Sequence, residues 1–438
     1  MTCKVGVVGL WHQGIVGAAV LADWGHIVTG SDRDSEKIRL LNRGESPIFE
    51  PGLDDIILRS ISEERLNFTS KLGDAVRKKS HVLIMHDIPV DENDISDLTD
   101  FFEDISEIIP SLESGVAILV TAQISVGTCR RISELISQLR PEINFTLAYF
   151  PENLRLGTAI ERFRSPPLPV LGVDKPGDHL YFIELFVNAN VKWEICSIET
   201  AEMLKHALNG FLALSVSFIN EVGNLCDQVG ANGHRIGELL KLDSRIGRGA
   251  LTKPGMAFSG GTLARDIQTM RSLGDKYSID TFCIDGVWES NLIQQKIVLR
   301  TLIEVLGTSF RSLQIGILGL TYKANTSTVR RSASIDLITD ICARGGSVKV
   351  NDPRAVESDL EPMQQVQFEK NAIDVALGSD VLILMTPWDV YKEFDFVEAR
   401  SVMRRKLVFD TANIWDGSFL RGLGFEYLTV GNRGEEAR

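Results

Sequence analysis

A chain of 438 residues, 44% apolar and 24% charged with a formal net charge of −13, is too long for one ordinary core and too apolar to be disordered. Its charge disfavours nucleic acid or an anionic membrane as partner, so any anion must be held in a local pocket. With no basic leader before an apolar core and no apolar run of spanning length, the expectation is a cytoplasmic protein.

Taken in order, the first elements are short β-branched runs: "KVGVVGL", "HIVTGSD", "HVLIMHD", "GVAILVT", "NFTLAYF" and "LPVLGVD". Amphipathic segments separate them, the pattern of a parallel sheet with crossover helices. The first strand runs into Gly9-Leu10-Trp11-His12-Gln13-Gly14, and the second ends at Asp32. A glycine turn opening a helix holds a pyrophosphate against the helix N-terminus, and an acid some twenty residues on binds the adenosine ribose. Gly9, Trp11, Gln13, Gly14 and Asp32 are therefore candidate NAD contacts. Trp11 stands where the middle glycine normally lets the backbone approach the pyrophosphate, and an ordinary strand-helix turn is the competing reading. Asp32 favours NAD over NADP, whereas the adjacent Arg33 pulls the other way.

From about Ser197 the pattern is helical, and "IETAEMLKHALNGFLALSVSFINEVGNLCDQVG" keeps an apolar stripe over an unusual length. Strand-helix alternation restarts with "LQIGILGL", "SVKVNDP", "SDVLILMT" and "KLVFDTAN". The expected fold is α/β: two Rossmann-like parallel-sheet domains (1–196 and 306–438) joined by a central helical domain (197–305). "KVGVVGLWHQG" and "LQIGILGLTYK" echo each other as a strand entering a glycine turn, consistent with a duplicated nucleotide-binding plan. The tail "GNRGEEAR" is expected to fray. Six scattered cysteines (Cys3, Cys129, Cys196, Cys226, Cys283, Cys342) lack metal-binding spacing and read as reduced packing thiols, with no metal.

Seven further segments occur together and in order: "SPIFEPGL", "PENLRLG", "AEMLKHALNGFLALSVSFINEV", "DSRIG", "GMAFSGGTLARD", "GILGLTYKANTSTVRRS" and "TPWD". With them the chain resembles the UDP-glucose/GDP-mannose dehydrogenase family of NAD-dependent nucleotide-sugar dehydrogenases over nearly its whole length. The resemblance implies an NAD domain, a helical middle through which the chain forms a homodimer, and a C-terminal domain that binds the nucleotide sugar. Family members oxidise a sugar C6 alcohol to the acid by two hydride transfers, the second through a cysteine thioester.

The family loop, of the form GFGFGGSCFPKD, falls on "GMAFSGGTLARD" without a gap. Thr262 then lies on the nucleophilic cysteine, Arg265 on the lysine and Asp266 on the aspartate. An unactivated alcohol supplies neither the thiolate nor the leaving group that a thiol does. Leu156 lies on a family acid that assists hydrolysis, and Gln123 on a family threonine beside the cofactor. By the same resemblance Glu152, Lys205, Asn209 and Asp266 surround the reacting sugar, with Leu154, Phe258, Gly261, Lys323 and Arg330 as substrate contacts. Ser327 and Thr328 replace the family's paired aspartates, and Ala412 its late arginine. Lys205 and Asn209, four apart, share a helix face; an ammonium, an amide and a carboxylate can hold an alcohol and accept its proton. Alone, Lys205 reads as a solvated lysine, Asp266 as an N-cap and Glu152 as a surface acid, while His12 and His206 read as structural.

Three functions stay open at this level. The leading expectation is one NAD-dependent hydride removal from a nucleotide sugar, giving an aldehyde or ketone. The second is full oxidation to the uronic acid without a thioester, through the hydrated aldehyde. The third is a non-catalytic binding module, for which Trp11 is the main support.

Overall fold

The structure is a computed structural model that describes residues 2–432 except 92, 152, 190, 259–261, 327, 328, 330, 331, 361, 362 and 364. Three of the expected segments meet this limit: Glu152, Gly261, Arg330, Ser327 and Thr328 lie outside the described residues, as does the tail beyond Asn432. The chain divides into two compact units, 1–208 and 209–438. The division falls inside a 32-residue helix, Ile198–Val229, the long helix that the apolar stripe predicts. No helix among the described residues is long and apolar enough to cross a membrane.

In the first unit the strands are β1 (Lys4–Val8), β2 (Ile27–Ser31), β3 (Leu66–Thr69), β4 (His81–Ile84), β5 (Val116–Val120), β6 (Phe145–Tyr149), β7 (Val170–Val173) and β8 (Glu194–Cys196). They form one sheet in the order β3-β2-β1-β4-β5-β6-β7-β8. All pairings are parallel except β6 with β7, where Ala148 lies opposite Val173. Helices cover both faces, so Val5, Val7, Val82, Leu83 and Leu119 are buried whichever way they point. This is why these strands read as continuous apolar runs rather than alternating ones.

The second unit repeats the plan. Its strands β9 (Gln314–Leu318), β10 (Ser347–Asn351), β11 (Val366–Phe368), β12 (Val381–Leu384), β13 (Leu407–Asp410) and β14 (Glu426–Thr429) form a parallel sheet in the order β11-β10-β9-β12-β13-β14. Both sheets therefore carry the Rossmann strand order and reverse it beside their first strand, where such folds open a crevice at the carboxyl ends. Strands β3, β8, β11 and β14 lie outside the apolar runs picked out in the sequence. Each is a short, partly exposed strand of three or four residues near or at a sheet edge, too brief to show a period.

Among the described residues the six cysteines form no disulfide. Cys3, His81 and Glu184 bring potential metal-ligand atoms within 4.8 Å of one another. Both His81 nitrogens are already engaged, Nδ1 with Ser80 Oγ at 2.9 Å and Nε2 with the Tyr181 carbonyl at 2.8 Å.

Candidate active site

The turn after β1 is shaped by what it cannot accommodate. Gly9 has φ +91°, and a Cβ there would sit 2.9 Å from the His86 backbone; at Gly14 a Cβ would sit 1.8 Å from the Gly9 carbonyl oxygen. The two glycines thus let the turn pack tightly against the protein's own backbone, and the helix His12–Asp23 begins at once. No side chain caps that helix, and its first turn carries no acid, so its N-terminal dipole is left to a phosphate. Trp11 fits as an extended N-cap residue, with φ −103°. Its side chain is 48% exposed, with the Lys37 ammonium 6.0 Å from the ring centre. Gln13 reaches Thr121 Oγ1 at 3.5 Å, and Gln123 is half-buried just beyond β5.

Asp32 follows β2, where its Oδ2 accepts from the Leu10 N–H at 3.0 Å and from Lys37 Nζ at 2.8 Å. It remains partly exposed, at 17%. A cavity of about 330 Å³ opens there, with Gly9, Asp32, Arg33, His86 and Asp104 among the residues lining it. The Arg33 side chain is 54% exposed but turned toward two acids: Nε donates to Asp104, and a terminal nitrogen lies 2.9 Å from Glu107. His86 Nε2 lies 2.8 Å from the other Asp104 oxygen. Burial pushes the Asp104 carboxyl up, but the hydrogen bonds from His86 and Arg33 outweigh it and hold the group below the usual carboxylate range. A tight glycine turn, an uncapped helix and a ribose-seeking acid beside a cavity together fit NAD.

The rest of the first unit's candidate chemistry lies near the segment 151–157. Lys205 is 7% exposed and donates to Asn153 Oδ1, whose amide nitrogen in turn donates to the Pro151 carbonyl at 3.0 Å. A buried ammonium held this way is not the solvated helix lysine of the bland reading. Leu154 is half-buried, whereas Leu156, on the family's second acid, is 46% exposed. His206 bonds the Ile124 carbonyl at 2.9 Å and is structural; His12 lies 3.8 Å from Glu50. One unforeseen residue is Glu202, fully buried, which accepts from the Gly127 and Cys129 N–H groups at 2.6 and 2.9 Å and ties the long helix to the helix Thr128–Leu139.

In the second unit the glycine-rich loop hangs on amide side chains. Asn220 Oδ1 accepts from Gly255 N–H at 2.8 Å, Gln294 donates to the Gly255 carbonyl at 2.7 Å, and Asn291 bonds both the N–H and the carbonyl of Phe258, at 2.9 and 3.1 Å. Phe258 is buried by this anchoring. Thr262 is exposed and takes the N-cap position of the helix Leu263–Tyr277 without a capping side-chain bond. Asp266 is therefore not the N-cap. It lies inside the first turn, fully buried, and accepts a hydrogen bond from the Asn209 amide, itself 5% exposed.

The loop after β9 carries Lys323, exposed, its ammonium 5.4 Å from the Tyr322 ring centre. Asp410, at the late family motif, is consumed locally by the N–H groups of Ala412, Ile414 and Trp415.

Comparison with known proteins agrees with this geometry. Residues 3–190 match the NAD binding domain of the UDP-glucose/GDP-mannose dehydrogenase family, 199–292 its central domain and 316–417 its UDP binding domain. A UDP-glucose 6-dehydrogenase of Rickettsia typhi is 30% identical over 433 residues, 97% of this chain and 99% of its own. One of Rhizobium meliloti is 29% identical over 435 residues, 98% and 99% of the two chains. Among solved structures, a UDP-glucose dehydrogenase from the hyperthermophilic archaeon Pyrobaculum islandicum superposes with a TM-score of 0.86 at 26% identity, covering 95% of this chain and 98% of that one. The chain belongs to the UDP-glucose/GDP-mannose dehydrogenase family and is an NAD-dependent nucleotide-sugar dehydrogenase.

Proposed function

We propose that the protein oxidises a UDP-sugar at its C6 alcohol through to the uronic acid, the second step proceeding from the hydrated aldehyde instead of a thioester. Similarity along the full chain to enzymes named UDP-glucose 6-dehydrogenase supports this reading above a single oxidation, the order opposite to that expected from the loop alone. The observation that carries it is Asp266, a fully buried carboxylate bonded by Asn209, in a loop with no thiol. Gly9, Gly14 and Asp32 would hold NAD, which when bound would supply the hydride acceptor, one NAD for each of the two oxidations. Asp266 takes the proton of the alcohol, gives it up to water, and then takes one from the hydrate, and Asn209 fixes its orientation. Lys205, presented by Asn153, stabilises the developing alkoxide. Water adds across the aldehyde carbonyl, so the hydrate already holds the second oxygen of the acid and needs no nucleophile from the protein.

Thr262 and Leu156 favour a second reading, in which oxidation stops at the carbonyl. The test is incubation with NAD and a panel of UDP-, GDP- and dTDP-sugars, with products identified by mass. A uronic acid from a UDP-sugar supports the proposal; an aldehyde or ketone as the end product sinks it. No turnover, together with no NAD binding in a titration, returns the weight to a non-catalytic module.

The same reading includes a homodimer. Phe211, Phe218 and Leu225 recur every seven residues along the long helix and are 67%, 56% and 66% exposed, an apolar stripe suited to a second copy. Light scattering should give twice the monomer mass, and Phe218→Glu should shift it toward the monomer; a monomer at all concentrations contradicts it.

A further inference from the structure

Arg33 is the residue that the cofactor site does not absorb. An arginine next to the ribose-binding acid is what receives the 2′-phosphate of NADP in folds of this kind. Here its charge is spent elsewhere. Its Nε donates to Asp104, and a terminal nitrogen lies 2.9 Å from Glu107, both on the helix Thr99–Ile108. Asp104 is 8% exposed and is fixed from its other side by His86 Nε2 at 2.8 Å. The second cation at this end, Lys37, is paired with Asp32 at 2.8 Å. Asp100 and Glu103 also line the cavity, so a doubly charged phosphate would meet carboxylates whose counter-charges are already matched.

We propose that Asp104 and Glu107 are specificity residues: they clamp Arg33 against their own helix, and the crevice thereby selects NAD over NADP. Asp32 offers the ribose hydroxyls an acceptor in either case. The clamp turns toward Asp104 and Glu107 a guanidinium that lines the cavity, 54% exposed, and would otherwise compensate a 2′-phosphate. Three N–H donors of Arg33 remain unspent by these pairs, so the effect is one of charge and orientation and not of missing donors. His86 takes part by holding the Asp104 carboxylate toward Arg33. The inference rests on this crevice being the adenosine site, which NAD binding by the unaltered protein checks separately.

The test is calorimetric titration of the full chain with NAD and with NADP, reading the ratio of the two dissociation constants. In Asp104→Asn/Glu107→Gln that ratio should move toward NADP by about ten-fold or more, the scale of one charge-assisted hydrogen-bonded pair. Adding Arg33→Ala to that variant should cancel the gain, a result that mere removal of negative charge does not give. Glu107→Gln alone, at a rim position whose side chain is 44% exposed, should shift the ratio in the same direction by less and keeps the test usable if the Asp104 variant does not fold. An unmoved ratio in these variants overturns the clamp, and so does a gain that survives Arg33→Ala. If the unaltered protein binds neither dinucleotide, the adenosine reading falls and the clamp with it.

Discussion

The two sheets place an aspartate at the same point and use it differently. Gly9 and Gly319 both have positive φ, +91° and +96°, and their N–H groups bond the last residue of the second strand, Ser31 at 3.0 Å and Asn351 at 2.8 Å. The next residue is Asp32 in one unit and Asp352 in the other, and each accepts from the backbone of the residue after the glycine. Beyond that the two diverge. Asp352 is 5% exposed and is filled by the N–H groups of Leu320, Thr321, Arg354 and Ala355, the Thr321 hydroxyl and the Trp388 indole. Asp32 has the Leu10 and Asp34 N–H groups and Lys37, and faces a cavity. In the first unit the helix starts three residues past the glycine, at His12; in the second it starts at Ala333, after a long loop carrying Lys323. One strand order thus leads from the glycine directly into a helix N-terminus in the first unit and does not in the second. Of the two aspartates, Asp352 is buried in its own network and Asp32 borders a cavity.

This comparison can be broken most sharply at Asp352. Asp352→Asn turns an acceptor toward N–H donors with an amide that is itself half donor, and should cost about 3 kcal/mol or more of stability in the second unit. Chemical denaturation measures it, and an unchanged midpoint would mean that the network is not structural. The same carboxylate sets an acid response. Burial raises its pKa, but the backbone hydrogen bonds from Thr321, Ala355, Arg354 and Leu320 prevail and hold it below the ordinary value. Its native pKa being depressed, its contribution is complete above the unfolded carboxylate value of about 3.9 and is lost as pH falls through the lower native value. Denaturation midpoints between neutral and acid pH should fall less steeply in Asp352→Asn; parallel curves would contradict this.

Asp32→Asn should do the reverse: leave the fold near its original stability and raise the NAD dissociation constant about ten-fold, or 1.4 kcal/mol. A loss of stability instead, with NAD affinity kept, would erase the distinction between the two aspartates. The smallest effect is expected at Trp11. Because its ring lies outward over Lys37, Trp11→Gly should change NAD affinity by no more than about three-fold, under 1 kcal/mol. A ten-fold gain would show that the ring obstructs the pyrophosphate after all.

The sheets were legible because strands covered on both faces are unbroken apolar runs, and β1 with its glycine turn and Asp32 announces its own crevice. The clamp on Arg33 was not legible: Asp104 lies some seventy residues away, in a helix whose acids look solvated in one dimension. The amides Asn220, Asn291 and Gln294, which shape the glycine-rich loop from two distant helices, were missed for the same reason. Local sequence does not mark them, since Ser217 and Asn224 share a face with Asn220, and Gln294 and Gln295 share one with Asn291. Asp266 was ambiguous because a buried acid and a capping acid look alike near a helix start; only the boundary at Thr262 separates them.

The most direct test of the account is the number of NADH formed per sugar in a single turnover, with enzyme in excess over a UDP-sugar. The account predicts two NADH and an acid, in the unaltered protein and in Thr262→Ala alike, since neither step uses the threonine as a nucleophile. One NADH with a carbonyl product, or a second oxidation that disappears in Thr262→Ala, would contradict it.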